Sequence, residues 1–241
     1  MKPHTIAYFP LLTALLCFAS PLGASAQQPQ PKEWTWTDRD GHVRSGADLD
    51  KILAQHELWW EFGGESGVRA DLRGADLNGA VLIGAHLNVA DLSRADLTGA
   101  NLTNANLTDA HLTRADLNDA QLNGADLTGA NLFGALLNGA DLTDTDLTGA
   151  HLFFADLSGT SFEPKNLPVL GDIARARGLE LMAYSSNPGP LTRLRKQFQD
   201  AGYREQERAI TYALNRQDAD PAWLRSAVGA TLSPTSTLSG A

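Results

Sequence analysis

Residues 95–129 read ADLTGANLTNANLTDAHLTRADLNDAQLNGADLTG, with a leucine on every fifth position. Outward from this stretch the beat runs without a miss from Leu72 to Leu157, eighteen leucines, and Phe162 takes the nineteenth place. Five residues advance an α-helix by about 140°, which would scatter these leucines round the cylinder. In one continuous strand, side chains alternate faces, so an odd spacing would send successive leucines to opposite sides. The remaining solution is a chain that turns a corner after every pentapeptide.

With the leucine as position i, position i−2 is Ala in seventeen of the nineteen units, Thr145 and Thr160 being the exceptions. Residues two apart in extended chain point the same way, so i−2 and i face inward while i−1 faces water. The i−1 residues are mostly polar, for instance Asp91, Asn101 and His111. Position i+1 is Ser, Thr or Asn in fourteen units and i+2 is Gly, Asp or Asn in fourteen, which is turn chemistry. Units such as Ala95-Asp96-Leu97-Thr98-Gly99 and Ala125-Asp126-Leu127-Thr128-Gly129 resemble the A(D/N)LXX signature of the pentapeptide-repeat family. That resemblance implies an all-β solenoid, a right-handed quadrilateral β-helix with four pentapeptides per coil and about five coils here. It implies no particular chemistry, because a shared shape does not carry a shared activity.

Five segments are expected. Residues 1–26 carry Lys2, an apolar run from about Leu11 to Ala19 and Ala24-Ser25-Ala26, the layout of a cleaved secretory signal. The apolar run is shorter than the ~20 residues of a spanning helix. An exported protein, periplasmic or secreted, is therefore expected, with no membrane span in the mature chain. The single cysteine, Cys17, lies inside this run, so neither disulfides nor thiol chemistry are expected after cleavage. Residues 27–66 read as a linker, a hairpin around Asp40-Gly41 and an N-terminal capping helix. Ser45 and Asp48 start this helix, and Leu49, Ile52, Leu53 and Trp60 form its apolar face; it is expected to cover Val81, Ile83 and Val89. Residues 67–164 are the β-helix. In 165–217, helices are expected over Leu167–Gly178, over Pro190–Gly202 with Leu191, Leu194 and Phe198 on one face, and over Tyr203–Arg216 with Ile210, Ala213 and Leu214. A flexible tail, 218–241, follows. The run LRKQFQDAGYREQERAITYALNR, Leu194–Arg216, resembles segments that follow the repeats in some bacterial envelope proteins, of which longer relatives continue into membrane spans.

Charge is divided. Residues 67–164 hold 4 Lys/Arg against 13 Asp/Glu, and residues 165–241 hold 10 against 7. His111 and His151 share a face two coils apart, about 10 Å, too far for one metal ion, whose nitrogen ligands lie at about 2.0–2.1 Å. His42 and His56 lack a ligand-spaced partner, and no phosphate loop or nucleophile elbow occurs. No catalytic residue, cofactor, metal or small-molecule substrate is expected, and the chain reads as a non-enzymatic scaffold that docks a protein partner. The alternative follows from the resemblance: an acidic column could mimic DNA, as the family's quinolone-resistance proteins do in a groove of gyrase. Export argues against that reading and against nucleic acid as partner. The residues singled out for contact are Phe133, Phe153 and Phe154, at corners that ask for small polar residues, Leu136 in an i−1 slot, and Arg94 and Arg114 at the edge. Contiguous exposed apolar patches mark contacts. The first occupant expected is the chain's own α-helical segment, through Leu191, Leu194 and Phe198; a protein partner or a second copy forming a homodimer is the other.

Overall fold

The computed structural model describes residues 34–219; residues 1–26, expected to be a signal segment, and the chain beyond Ala219 lie outside them. From Asp71 to Asn166 the chain is a four-sided β-helix type solenoid. Its parallel bridges join residues twenty apart, so four pentapeptides complete one turn: Asp71 to Asp91 to His111 to Asn131 to His151 on the first side, and Asp76 to Asp96 to Asp116 to Leu136 to Asp156 on the second. Every Ala at i−2 and Leu at i from Ala70 to Leu157 is buried, as are Thr145, Thr160 and Phe162. The two threonines do so at no polar cost, each hydroxyl donating to the carbonyl three residues back, Leu142 and Leu157, at 2.8 Å.

One unit accounts for all its backbone donors. In residues 92–96, Leu92 N–H donates up to His111 O (2.8 Å), Arg94 N–H to Thr113 O (3.0 Å), and Asp96 N–H down to Ala75 O (2.9 Å), while Ala95 N–H closes the corner on Leu92 O (3.0 Å). The remaining donor, Ser93 N–H, goes to the Asp91 side chain at 3.1 Å. The i−1 carboxylate or amide therefore faces water and also caps the next corner, as in Asp96 to Thr98 and Asn106 to Thr108; an unpaired buried donor would be costly. Where Leu136 replaces this acceptor, Asn138 N–H turns instead to Asn118 Oδ1 of the coil below, at 2.9 Å.

At the N-terminal end, β1 (Thr35–Thr37) pairs with β2 (Val43–Ser45), and Thr37 makes an antiparallel bridge to Asp76, adding a rung to the exposed edge of the second side. Ser45 N–H and Oγ–H donate to Asp48 at 3.1 and 2.7 Å, starting α1 (Gly46–Glu61). The buried face of α1 is Leu49, Leu53 and His56. Trp60, expected on that face, is 52 % exposed; it lies in the helix's last turn, just before the chain leaves at Phe62 and returns through Gly67. That glycine, at φ +73°, has the Gln55 carbonyl and the Trp59 amide where a Cβ would stand. Val81, Ile83 and Val89 are half-buried.

The C-terminal end differs from expectation. The ladder does not stop at residue 164: Asn166, Arg177 and Ala183 bridge to Asp146, Asp156 and Ser161, so three sides gain a further rung, Asn166 still at the twenty-residue spacing and Arg177 and Ala183 outside it. The helix expected over 167–178 shrinks to α2 (Leu170–Ile173), which takes the place of the fourth rung and ties to the coil below through His151 Nδ1 and Asp172 at 2.7 Å. A 3-10 turn, Leu179–Leu181, follows Gly178. Then α3 (Gly189–Ala201) ends at Gly202, which has φ +79°, and α4 runs over Arg204–Ala219, past the helix end expected at Arg216. Leu191, Leu194, Phe198, Ile210 and Leu214 are buried in the same continuous core as the column leucines.

Candidate docking edge

Corner geometry positions the candidate residues. At all eighteen corners from Gly74 to Gly159 the i+2 residue has positive φ, between +54° and +71°, the signature of a type II turn with the N–H of the next unit closing on the leucine carbonyl. Residues at i+1 and i+2 therefore project outward at the edges of the square column. On the edge between the first and second sides, Arg94, Arg114, Phe133, Phe153 and Phe154 follow one another up successive coils, with Leu136 just round the corner on the second side. The Phe133 and Phe153 rings stack at 5.9 Å with 7° between planes, and Phe154 meets both edge-on at 5.8 and 4.5 Å. Phe133 is 36 % and Phe154 51 % exposed, while Phe153 and Leu136 are half-buried. The Arg114 side chain runs beneath Gly134.

All six predicted residues thus meet on one edge. One shallow recess is lined by Arg94, Thr113, Arg114 and Phe133, and the next by Arg114, Phe133, Leu136, Phe154 and Arg177. The helical hairpin does not cover them. Leu191, Leu194 and Phe198 are wholly buried, yet no α3 or α4 residue lines either recess. From the post-repeat chain Arg177 lines the second recess and Arg175 reaches in as well, its guanidinium 4.7 Å from the centre of the Phe153 ring, a cation–π contact.

Sequence reasoning missed four members of this edge. Arg73 holds Asp71 through two contacts at 2.7 and 2.6 Å, and its hydrogen bonds pull the Asp71 carboxyl down to about 2. Arg39 reaches the same carboxylate at 3.4 Å. Counting in twenties would have placed Arg73 here; Arg39, Arg175 and Arg177 lie where the repeat does not number positions. Glu163 was missed too. It is 5 % exposed and accepts from Ser185 N–H and Oγ–H, from Ser186 N–H and Oγ–H, and from Asn187 N–H. Burial raises its carboxyl, but these hydrogen bonds outweigh burial and hold it below the ordinary range. A glutamate where the rule asks for Ser, Thr or Asn was the available signal.

Of the other polar groups, Asp38, Asp40 and His42 at the hairpin tip offer ligand-type atoms within 4.8 Å of one another. Asp38 is committed to the turn: its carboxylate takes the His42 N–H at 2.9 Å and Arg44 at 3.0 Å, which pulls it down to about 2. His111 and His151 are two rungs apart through Asn131. No helix among the described residues is long and apolar enough to cross a membrane.

No curated protein matches the chain. Among solved structures it is similar to the pentapeptide repeat protein Rfr23 from the cyanobacterium Cyanothece 51142, with 30% identity over 42% of this chain and 65% of that one and a TM-score of 0.35. It is also similar to alr5209, a pentapeptide repeat protein from Nostoc Pcc 7120, with 34% identity over 51% of this chain and 92% of that one and a TM-score of 0.29. A third similarity is to QnrB1, a plasmid-mediated fluoroquinolone resistance protein, with 20% identity over 38% of this chain and 60% of that one and a TM-score of 0.20. The family model for pentapeptide repeats matches eight copies, over residues 68–104, 90–129 and 125–163. Those copies coincide with the twenty-residue ladder, and the chain belongs to the pentapeptide-repeat family.

Proposed function

We propose that this protein is a non-enzymatic interaction protein of the cell envelope: an exported, rigid, acidic column that docks a protein partner. The observation that supports this most is the aromatic edge, three phenylalanines in mutual contact, two of them exposed although the chain's own helices lie close by in sequence. A contiguous apolar patch on a soluble surface costs solubility and is kept where something binds. A column whose coils are tied by repeated backbone hydrogen bonds holds such a patch in one geometry, which lowers the ordering cost of association. Both ends of the column are occupied by other parts of the chain, α1 and the hairpin strand at one end, α3 and α4 at the other. We read these as caps that keep an open rung from pairing with a neighbour. Export rests on the pattern Lys2, Leu11–Ala19 and Ala24-Ser25-Ala26.

The DNA-mimic alternative finds less support in the acidic rows. On the second side the carboxylates run Asp76, Asp96, Asp116 and are then interrupted by Leu136. Three rungs at about 4.8 Å span roughly 10 Å, whereas duplex DNA presents a charge every 1.7 Å or so along its axis.

Two measurements test the proposal. N-terminal sequencing of the protein recovered from a cell-envelope fraction is expected to begin at Gln27; an intact Met1 in the cytosol would overturn export and favour the mimic. Pull-down from envelope extract with the cleaved protein is expected to retain one dominant protein component, and retention of none would remove the docking role.

A further inference from the structure

We propose that the edge running from Arg94 and Arg114 to Phe133 and Phe154 binds an extended acidic segment of a partner protein, its carboxylates on the two guanidinium groups and one aromatic or aliphatic side chain on the phenylalanine cluster. The proposal rests on the docking role above and names its surface and the chemistry it selects.

Backbone conformation supplies the first argument. Fourteen of the eighteen positive-φ corner residues are Gly, Asn or Asp; the other four are Val89, Arg94, Arg114 and Phe154. Left-handed backbone costs an ordinary residue roughly 1–2 kcal/mol, and the column solves the same corner with glycine ten times. Three of the four costly choices fall on a single edge out of four. They are the same three that replace a small polar group by a cation or a ring, and strain of this kind collects at working surfaces.

Charge supplies the second. Of the four Lys/Arg residues in 67–164, three are Arg73, Arg94 and Arg114, all on this edge of an otherwise acidic column. Arg73 is consumed by Asp71. Arg94 and Arg114 are exposed and form no ion pair within 4.0 Å among the described residues. Two bare guanidinium groups one rung apart, with an apolar ledge on the next rungs, call for carboxylates followed by an apolar side chain. The four rungs from Arg94 to Phe154 cover about 14 Å, the length of four or five residues of extended chain at about 3.3 Å each. Nucleic acid fits poorly. Asp91 flanks the edge on the first side, and Asp96, Asp116 and Asp156 flank it on the second; a polyphosphate chain wide enough to use the arginines would also meet these carboxylates. A single extended peptide is narrow enough to lie on the edge alone.

The test uses the full chain and a fluorescein-labelled hexapeptide, Glu-Glu-Asp-Trp-Glu-Glu, followed by fluorescence anisotropy at low salt. Saturable binding is expected, weakened at least tenfold by the double substitution Arg94→Gly with Arg114→Gly, weakened similarly by Phe154→Gly, and weakened when glycine replaces the tryptophan of the peptide. Because glycine suits these corners, the melting temperature of each variant is expected to stay level or rise, which separates lost binding from lost folding. Asn104→Gly, on another edge, is expected to leave binding unchanged. The proposal is overturned by no saturable binding, by binding that survives the arginine substitutions, or by tighter binding of an oligothymidine of about ten nucleotides. If the partner from envelope extract is retained equally by wild type and the double variant, this edge is ruled out while the docking role stands; if wild type retains nothing, the docking role itself fails.

Discussion

Each position of the pentapeptide has one physical job, and the jobs differ sharply in tolerance. Leu112 is fully buried with column residues on all sides. Leu112→Asp, which strands a charge in that core, is expected to cost several kcal/mol, whereas Thr113→Asp at the neighbouring corner should stay within about 0.5 kcal/mol. Comparable melting temperatures for the two would contradict the inward assignment. His56 offers a second residue-scale prediction. It is fully buried, its Nδ1 accepts from Ala70 N–H at 3.1 Å and its Nε2 contacts Asn88 O at 3.0 Å, so the neutral ring with the proton on Nε2 satisfies both. Burial pulls its pKa below the ordinary 6.5, and the nearby charges of Arg69 and His86 add to this. A group depressed on folding contributes stability that is present above the unfolded value and lost as pH falls through the folded one. The melting temperature is therefore expected to fall with pH below about 6.5. His56→Leu should cost about 1–3 kcal/mol at pH 7.5, and its deficit should shrink toward pH 5. A deficit independent of pH would show that His56 does not titrate.

At the scale of elements, the junction between column and helical hairpin hangs on Glu163. Its five donors come from three consecutive residues, Ser185 to Asn187, immediately before α3. Glu163→Ala removes the shared acceptor of these donors, which sit on exposed residues where water can take its place, and is expected to cost roughly 1–3 kcal/mol, the loss of hydrogen bonds to a charged group. Hydrogen exchange should show the loss first as weakened protection in α3 and α4, with the mid-column leucine amides unchanged. Uniform loss of protection would mean that column and hairpin open as one unit. The folded carboxyl sits below its ordinary range, so the same junction is expected to loosen as pH falls through that depressed value. Gln206 to Ala174 O at 2.9 Å and Arg216 to Leu181 O at 3.1 Å hold α4 on the far side of this joint. Both use side-chain donors on post-repeat carbonyls, so neither is visible in the repeat itself.

At the scale of the whole molecule, stability is a sum of coils and the interfaces between them, which makes the ends decisive. Removing residues 188–241 deletes the hairpin but leaves the rungs of Asn166, Arg177 and Ala183 in place; removing 165–241 also opens the ladder above Asp146, Asp156 and Ser161. The longer deletion is expected to be the more damaging, giving aggregation on size-exclusion chromatography, while the shorter one lowers the melting temperature by several degrees and stays in solution longer. Equal behaviour of the two would show that the added rungs contribute nothing to closing the column.

The repeat was legible because its signal is periodic and local: Ala at i−2 and Leu at i face inward through strand geometry alone, and i+1 and i+2 turn because their residues suit turns. The sequence by itself therefore determined the inward and outward faces, the solenoid and, through its departures at Phe133, Leu136, Phe153, Phe154, Arg94 and Arg114, the position of the odd edge. Tertiary structure decided what aperiodic residues do. Arg177 and Ala183, outside the twenty-residue spacing, became rungs because the open top of the column offered unpaired donors and acceptors to any extended chain beside it, a template no local pattern announces. Trp60 faced outward although its helical spacing put it with Leu49 and Leu53, because it lies in the last turn of α1, just before the chain turns away at Phe62 and comes back through Gly67. Leu191, Leu194 and Phe198 found the terminal core rather than the phenylalanine edge. Amphipathic spacing specifies that a face is buried; which surface it meets is fixed by where Glu163 anchors the chain that leads into it.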